Sequence, residues 1–243
     1  MKISMTFVLA LAASTLLAEP ARPTEFQSAK VIQTVEPIFP ESLVAVSRNG
    51  GRARIVLSVT AEGRLNDWLI VSYTRREFAE AAVYALKKWQ FEPARLRGEA
   101  VPVSIELTFN FEIKGVVVSL TPTDVVDAMM NSMLNGADAY GPCSLRELDR
   151  IPIPINAVRP FYPDALADRG VSGDVTVSFY IDEKGAVRMP YIRGQPNFAL
   201  AEFAVEAVRQ WKFEPPTHHG QPVLVHAQQL FRFSRAAASK GGS

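Results

Sequence analysis

The chain reads as α+β: two tandem small domains, each a three-stranded antiparallel sheet of order 2-1-3 with helices packed on one face. Three observations predict this. Trp89-Gln90-Phe91-Glu92-Pro93 returns 122 residues later as Trp211-Lys212-Phe213-Glu214-Pro215, and the same offset carries Gly63 onto Gly185, Gly98 onto Gly220, Phe109 onto Phe231 and Phe111 onto Phe233. Agreement so extended in order and spacing marks an internal repeat. Each copy also holds alternating apolar and polar residues, the period of a half-buried strand, and one run of helical period just before its tryptophan.

Taken in order, the first segment is a leader. Lys2 precedes an apolar stretch from Ile3 to Ala18, broken only by Ser4, Thr6, Ser14 and Thr15 and followed by Glu19-Pro20. That is the layout of a secretory signal peptide over residues 1–18, cleaved after Ala18. The alternative is an uncleaved inner-membrane anchor, for which the run is short against a span of about 20 residues. A short lead-in over residues 19–34 follows.

The first domain, residues 35–114, opens with Pro37-Ile38-Phe39-Pro40, answered in the second copy by Pro160-Phe161-Tyr162-Pro163. Ala53, Ile55, Leu57 and Val59 form the inward face of a strand; Ala61-Glu62-Gly63 turns it into a partner running to Tyr73. Thr74 and Glu77 have capping-box spacing, and Phe78, Ala81, Ala82, Ala85, Leu86 and Trp89 make an apolar helical stripe ended by Pro93. The closing strand alternates Val101, Val103, Ile105, Leu107, Phe109, Phe111 and Ile113 against Pro102, Ser104, Glu106, Thr108, Asn110 and Glu112.

Residues 115–147 read as a linker in which Thr121-Pro122-Thr123-Asp124 starts an amphipathic helix ending at Gly136, with Val126, Met129, Met130, Met133 and Leu134 on one face. The second domain, residues 148–235, repeats the plan. Val175, Val177, Phe179 and Ile181 face inward, Asp182-Glu183-Lys184-Gly185 turns the chain, Asn197 caps a helix, and Val223 to Phe233 closes the sheet. Gln229 interrupts the apolar parity where the first copy has Leu107. A flexible tail, residues 236–243, ends the chain.

Composition limits function. With 48% hydrophobic and 21% charged residues, 243 residues suffice for two modest cores of roughly 80 residues. A net charge of +1 supplies no field for nucleic acid. Cys143 is the only cysteine, which excludes an intrachain disulfide. His218 and His219 are adjacent in a loop and His226 lies on the solvent parity of a strand, an arrangement unsuited to a shared ion. No nucleophile, acid or base constellation is recognisable, so the chain is read as a non-enzyme with no catalytic, cofactor-binding or metal-binding residue. Trp89 and Trp211 end apolar stripes and read as core.

Topology supplies the candidate site. In a 2-1-3 sheet the closing strand lies on an edge whose backbone groups another chain can pair. The candidate peptide-binding residues are Val103, Ser104, Ile105, Glu106, Leu107 and Thr108 in the first copy, and Val225, His226, Ala227, Gln228, Gln229 and Leu230 in the second.

The ordered set Pro160 to Pro163, Gly173 to Gly185, Trp211 to Pro215, Gly220 to Val223 and Phe231 to Phe233 resembles the TonB C-terminal domain family. Leu148 to Pro154 resembles its extended approach segment, and the first copy matches with Phe39 in place of the tyrosine and Ala100 in place of a proline. The resemblance implies a periplasmic, non-enzymatic protein of Gram-negative bacteria that binds a protein or extended peptide of the cell envelope, an outer-membrane transporter among them, by strand addition. Membrane contact is expected only if the N-terminal segment stays uncleaved; the alternative is then an anchored energy transducer for transport across the outer membrane. Three features depart from such a transducer: no histidine in the N-terminal segment, a tandem copy, and a spacer from Glu19 to Val35 of 17 residues, reaching about 50 Å at roughly 3.1 Å per residue.

Overall fold

The computed structural model describes residues 26–47, 49–113, 115–120, 139–194 and 197–234. The expected signal peptide, the expected helix after Pro122 and the tail lie outside the described residues. Among the described residues no helix is long and apolar enough to cross a membrane.

In the first copy, β1 (Gly51–Val59) and β2 (Leu65–Tyr73) form the hairpin, α1 (Arg76–Leu86) follows, and β3 (Val103–Glu112) closes the sheet. A further strand, β4 (Gly115–Leu120), then turns back along β3, giving the antiparallel order β2-β1-β3-β4. In the second copy, α2 (Asp164–Asp168) precedes β5 (Gly173–Ile181) and β6 (Val187–Arg193), and α3 (Phe198–Arg209) precedes β7 (Val225–Phe233), in the order β6-β5-β7. The fold class and the 2-1-3 order therefore hold in both copies. The first sheet differs by its fourth strand, in a segment where the sequence suggested linker.

Each helix packs its stripe on one sheet face. Ile55, Leu57, Phe78, Ala82, Leu86 and Phe109 are fully buried in the first core, as are Val175, Val177, Leu200, Ala204 and Val208 in the second. Asn197 caps α3 by accepting from the Ala199 N–H at 3.1 Å. Thr74 does not cap α1. The N-cap is Arg75, without a side-chain bond, because Thr74 is still engaged with the strand pair: its hydroxyl accepts from Arg52 N–H at 2.9 Å and its own N–H reaches the Arg52 carbonyl at 3.0 Å.

The repeated Trp-x-Phe strings tie three segments together. After each helix the phenylalanine crosses under the hairpin turn, so close that a Cβ on Gly63 would sit 2.2 Å from the Phe91 carbonyl oxygen and one on Gly185 2.0 Å from that of Phe213. Both glycines have φ near the left-handed region, +76° and +78°. The extended lead-ins, Lys30–Gln33 and Pro154–Asn156, pair antiparallel with Gln90–Glu92 and Lys212–Phe213. Trp89 Nε1 donates to the Val35 carbonyl at 2.9 Å and Trp211 Nε1 to that of Val158 at 2.7 Å.

The faces turned away from the helices are not both solvated. Val56, Leu69 and Val71 of the first sheet pack with Tyr180, Met189 and Leu224 of the second copy, and Tyr140 lies against them. A register shift in β2 beside Arg54 and Ile55 leaves Val71 without a cross-strand partner and turns it into this seam. Arg54 and Glu106, on the same outer face, form an ion pair at 3.2 Å with side-chain exposures of 0% and 2%. Arg188 of β6 donates to the Asp67 carboxylate at 3.1 Å and to the Trp68 carbonyl at 3.2 Å. The strap before the second copy stitches the seam: Tyr140 exchanges backbone hydrogen bonds with Tyr73, and Cys143 N–H donates to the Leu224 carbonyl at 2.8 Å.

Candidate functional site

The closing strands carry the candidate residues, and their outer edges differ. Inside each sheet the pairing matches: Ala53 faces Phe109 and Ile55 faces Leu107 across β1 and β3, while Val175 faces Phe231 and Val177 faces Gln229 across β5 and β7. On the other side of β3, β4 pairs from Leu107↔Leu120 to Glu112↔Gly115. On the other side of β7 the described residues supply a single bridge, Cys143↔Val225, and no strand.

This corrects the expectation that both closing strands are open edges. Leu107 and Thr108 already have strand partners, Leu120 and Ser119. Val103, Ser104, Ile105 and Glu106 lie beyond the last of these pairs, and the Glu106 carboxylate is committed to Arg54 in the seam. The physical reason is the sequence that follows the turn at Ile113: a Val-rich run of strand propensity, connected closely enough to fold back on the edge it has just left.

In the second copy, Val225 is fully buried and bridged by Cys143, so that end of the edge is closed. His226 lies half-buried against two aromatic rings, 4.9 Å from Tyr180 and 6.5 Å from Tyr191 between centroids. Ala227 packs on the second core. Gln228 is exposed, the Gln229 side-chain amide donates to the Leu230 carbonyl at 2.8 Å, and Leu230 is 50% exposed.

Equivalent residues reveal what a fourth strand does. Under β4, with Val116 and Val118 packed on the first core, Trp89 is 7% exposed, Phe109 0% and Phe111 1%. Their counterparts Trp211 and Phe231 are only partly buried, while Phe233 remains buried at 5%. Trp211 and Phe231, their rings 5.6 Å apart, therefore form an apolar shelf beside the edge of β7 that no strand of the described residues pairs. Neither ring is among the candidate residues Val225 to Leu230 expected from the sequence. The 122-residue offset, applied to the strand after Ile113, was the signal that could have found it.

Other edges are less open to a partner. β6 carries Pro190 within the strand, and β2 is bridged at Tyr73 by Tyr140. The Cys143 thiol is pushed above its ordinary value, by burial first and then by the Glu147 and Asp149 carboxylates, the reverse of an activated nucleophile. Asp149 accepts from the His219 and Gly220 N–H groups at 2.8 Å each, fixing the loop that carries the two adjacent histidines. Among the described residues no group of three His, Cys, Asp or Glu side chains is placed to hold a metal ion.

A family model described as the Gram-negative bacterial TonB protein C-terminal region matches residues 35–113 and 158–234. A TonB protein from Vibrio cholerae is 34% identical over 77 residues, a match spanning 31% of this chain and 32% of that protein's length. The solution structure of the Pseudomonas aeruginosa TonB C-terminal domain is similar at 26% identity and a TM-score of 0.32, over 38% of this chain and 92% of that one.

Proposed function

The chain belongs to the TonB C-terminal family, and from that premise we propose that it is a periplasmic, non-enzymatic binding protein whose second copy takes an extended segment of a cell-envelope protein by strand addition along β7. The observation that carries this reading is internal to the chain. The equivalent edge in the first copy is occupied by six residues of its own sequence, Gly115–Leu120, lying as an antiparallel strand. Strand addition at such an edge combines backbone hydrogen bonds with pockets for alternate side chains. In β4 the alternate residues Val116 and Val118 pack against the first core, of which Trp89, Phe109 and Phe111 are members. Over β7 the same space lies above Trp211 and Phe231, so the ligand is an extended segment with branched apolar residues at alternate positions. Cys143 limits pairing to Ala227–Phe233, because its backbone already stands beside Val225. An outer-membrane transporter segment is a partner of this kind.

The test uses a synthetic peptide with the sequence of residues 115–120 and a soluble flanking tag, added to the full chain. Amides of β7 that face outward should gain protection from hydrogen exchange, and Gln228→Ala should leave affinity within about threefold, since backbone pairing tolerates outward side-chain changes. Protection that appears elsewhere, with β7 unchanged, overturns the assignment.

A further inference from the structure

We propose that the two copies are locked into one rigid body by the strap that leads into the second copy, and that Tyr140 is the latch of this lock. The lock concerns how the copies hold each other and does not depend on what β7 binds.

The strap is anchored to the first copy at Tyr140 and to the second at Cys143. At Tyr140 the backbone exchanges two hydrogen bonds with Tyr73, the last residue of β2: Tyr73 N–H donates to the Tyr140 carbonyl at 2.9 Å, and Tyr140 N–H to the Tyr73 carbonyl at 3.0 Å. Cys143 N–H then donates to the Leu224 carbonyl at 2.8 Å, next to the first residue of β7. The residue steps between the two anchors reach at most about 10–11 Å when fully extended. While both anchors hold, the end of β2 and the start of β7 stay within that reach of the strap.

The Tyr140 side chain adds a second link. Its ring stacks on that of Tyr73, with centroids 5.2 Å apart and planes inclined by 19°, and its phenol donates to the Glu183 carboxylate in the turn between β5 and β6. One residue thus holds the first copy by backbone and ring and the second by its hydroxyl. Burial first, and then the Glu183 carboxylate, raise the phenol above its ordinary value, which keeps it a protonated donor.

Relative motion is the default for two domains joined by a modest interface. Away from the strap the seam offers one compact apolar cluster and, at its margin, Arg188, whose side chain is 30% exposed and paired with an Asp67 side chain that is 47% exposed. A pair so open to solvent contributes little to holding a geometry. The strap supplies what the seam lacks, a short covalent span fixed at both ends. A partner bound to either copy therefore carries the other at a set orientation, and the tandem acts as one unit instead of two beads on a linker.

The experiment measures the spread of distances between the copies in the full chain. Spin labels are placed at Glu80→Cys of α1 and Glu202→Cys of α3, both exposed, in a Cys143→Ser background that keeps the strap's backbone donor. With Tyr140 in place the lock predicts a single narrow distance distribution. Tyr140→Pro removes the N–H bonded to Tyr73 together with the ring and the phenol, and should widen the distribution at least about twofold. Amides of β1 and β5 should keep their protection from hydrogen exchange, because the latch acts between the copies and not within them. A broad distribution with Tyr140 present overturns the rigid body. A narrow one that Tyr140→Pro leaves unchanged overturns the latch, and so does widening accompanied by lost protection in β1 or β5. Should Tyr140→Pro not fold, Tyr140→Ala replaces it: the backbone bonds remain, the ring and phenol go, and the distribution should still widen measurably. No widening in that variant overturns the latch.

Discussion

Trp211 donates its indole N–H to the carbonyl of Val158 at 2.7 Å, clamping the approach segment of the second copy to the end of its main helix. The ring also meets Phe179, Phe213 and Phe231 at centroid distances of 6.2, 6.0 and 5.6 Å. Trp211→Ala should therefore cost about 3–5 kcal/mol, and Trp211→Phe, which mainly loses the hydrogen bond, about 1 kcal/mol. Urea unfolding of both variants checks this. A Trp211→Ala protein that keeps wild-type stability yet loses the peptide would move the residue from scaffold to contact surface.

Much of this scaffold was legible in the sequence because each feature has a local cause. The turns at Gly63 and Gly185 need positive φ, the stripes ending at Trp89 and Trp211 have helical period, and direction alone forces the 2-1-3 order. Residues whose surroundings are set by the other copy were not legible. Val56 and Tyr180 sit at outward parity among polar neighbours, and only the packing of sheet on sheet explains why they are buried at 3% and 0%. β4 escaped because a linker was assumed between repeats, although Gly115-Val116-Val117-Val118 has strand composition. The difference between the two closing strands was not legible, because it depends on β4 pairing along β3, which no local pattern within either copy states.

Two equivalent-looking glycines should behave differently. A Cβ at Gly220 meets nothing within 4 Å, so Gly220→Ala suffers only the left-handed backbone at φ +73°, about 1–2 kcal/mol. Gly185→Ala adds the collision with the Phe213 carbonyl oxygen and should lose about 2–5 kcal/mol. Equal losses in urea midpoints would mean that the hairpin turn and the Phe213 strand can separate freely.

The Arg54–Glu106 pair gives a test of the seam. Removing one partner takes a buried counter-charge from the other, so Glu106→Leu should destabilise by about 3–5 kcal/mol. Arg54→Met combined with Glu106→Leu should recover most of that loss, since two apolar side chains of similar volume remove both buried charges together. A double variant no more stable than the single would show that Arg54 is held chiefly by groups other than Glu106.

Acid should loosen the loop at Asp149. Its carboxyl is held below the ordinary value of 3.8, first by the Gly220 backbone N–H, then by the Thr217 side chain and the His219 N–H. A depressed folded value contributes stability that is present above the unfolded pKa and is lost as pH falls through the folded one. The stability gap between wild type and Asp149→Asn should hold at neutral pH and shrink below about pH 4. A gap that widens on acidification contradicts the sign of the effect.

The shelf beside β7 makes an optical prediction that separates the two copies. Trp89 is buried at 7% exposure and Trp211 only partly buried, so acrylamide should quench Trp211 more strongly than Trp89 in the free protein. Single-tryptophan variants report each ring, with Trp68 and one of the other two replaced by phenylalanine. Adding the 115–120 peptide should shift Trp211 emission to the blue and cut its quenching toward that of Trp89, because a strand pairing with Gln229–Phe233 puts alternate apolar side chains over Phe231 and the indole. Peptide binding that leaves Trp211 as quenchable as before would place the ligand off the shelf and remove the main support for reading β4 as the pattern of what β7 accepts.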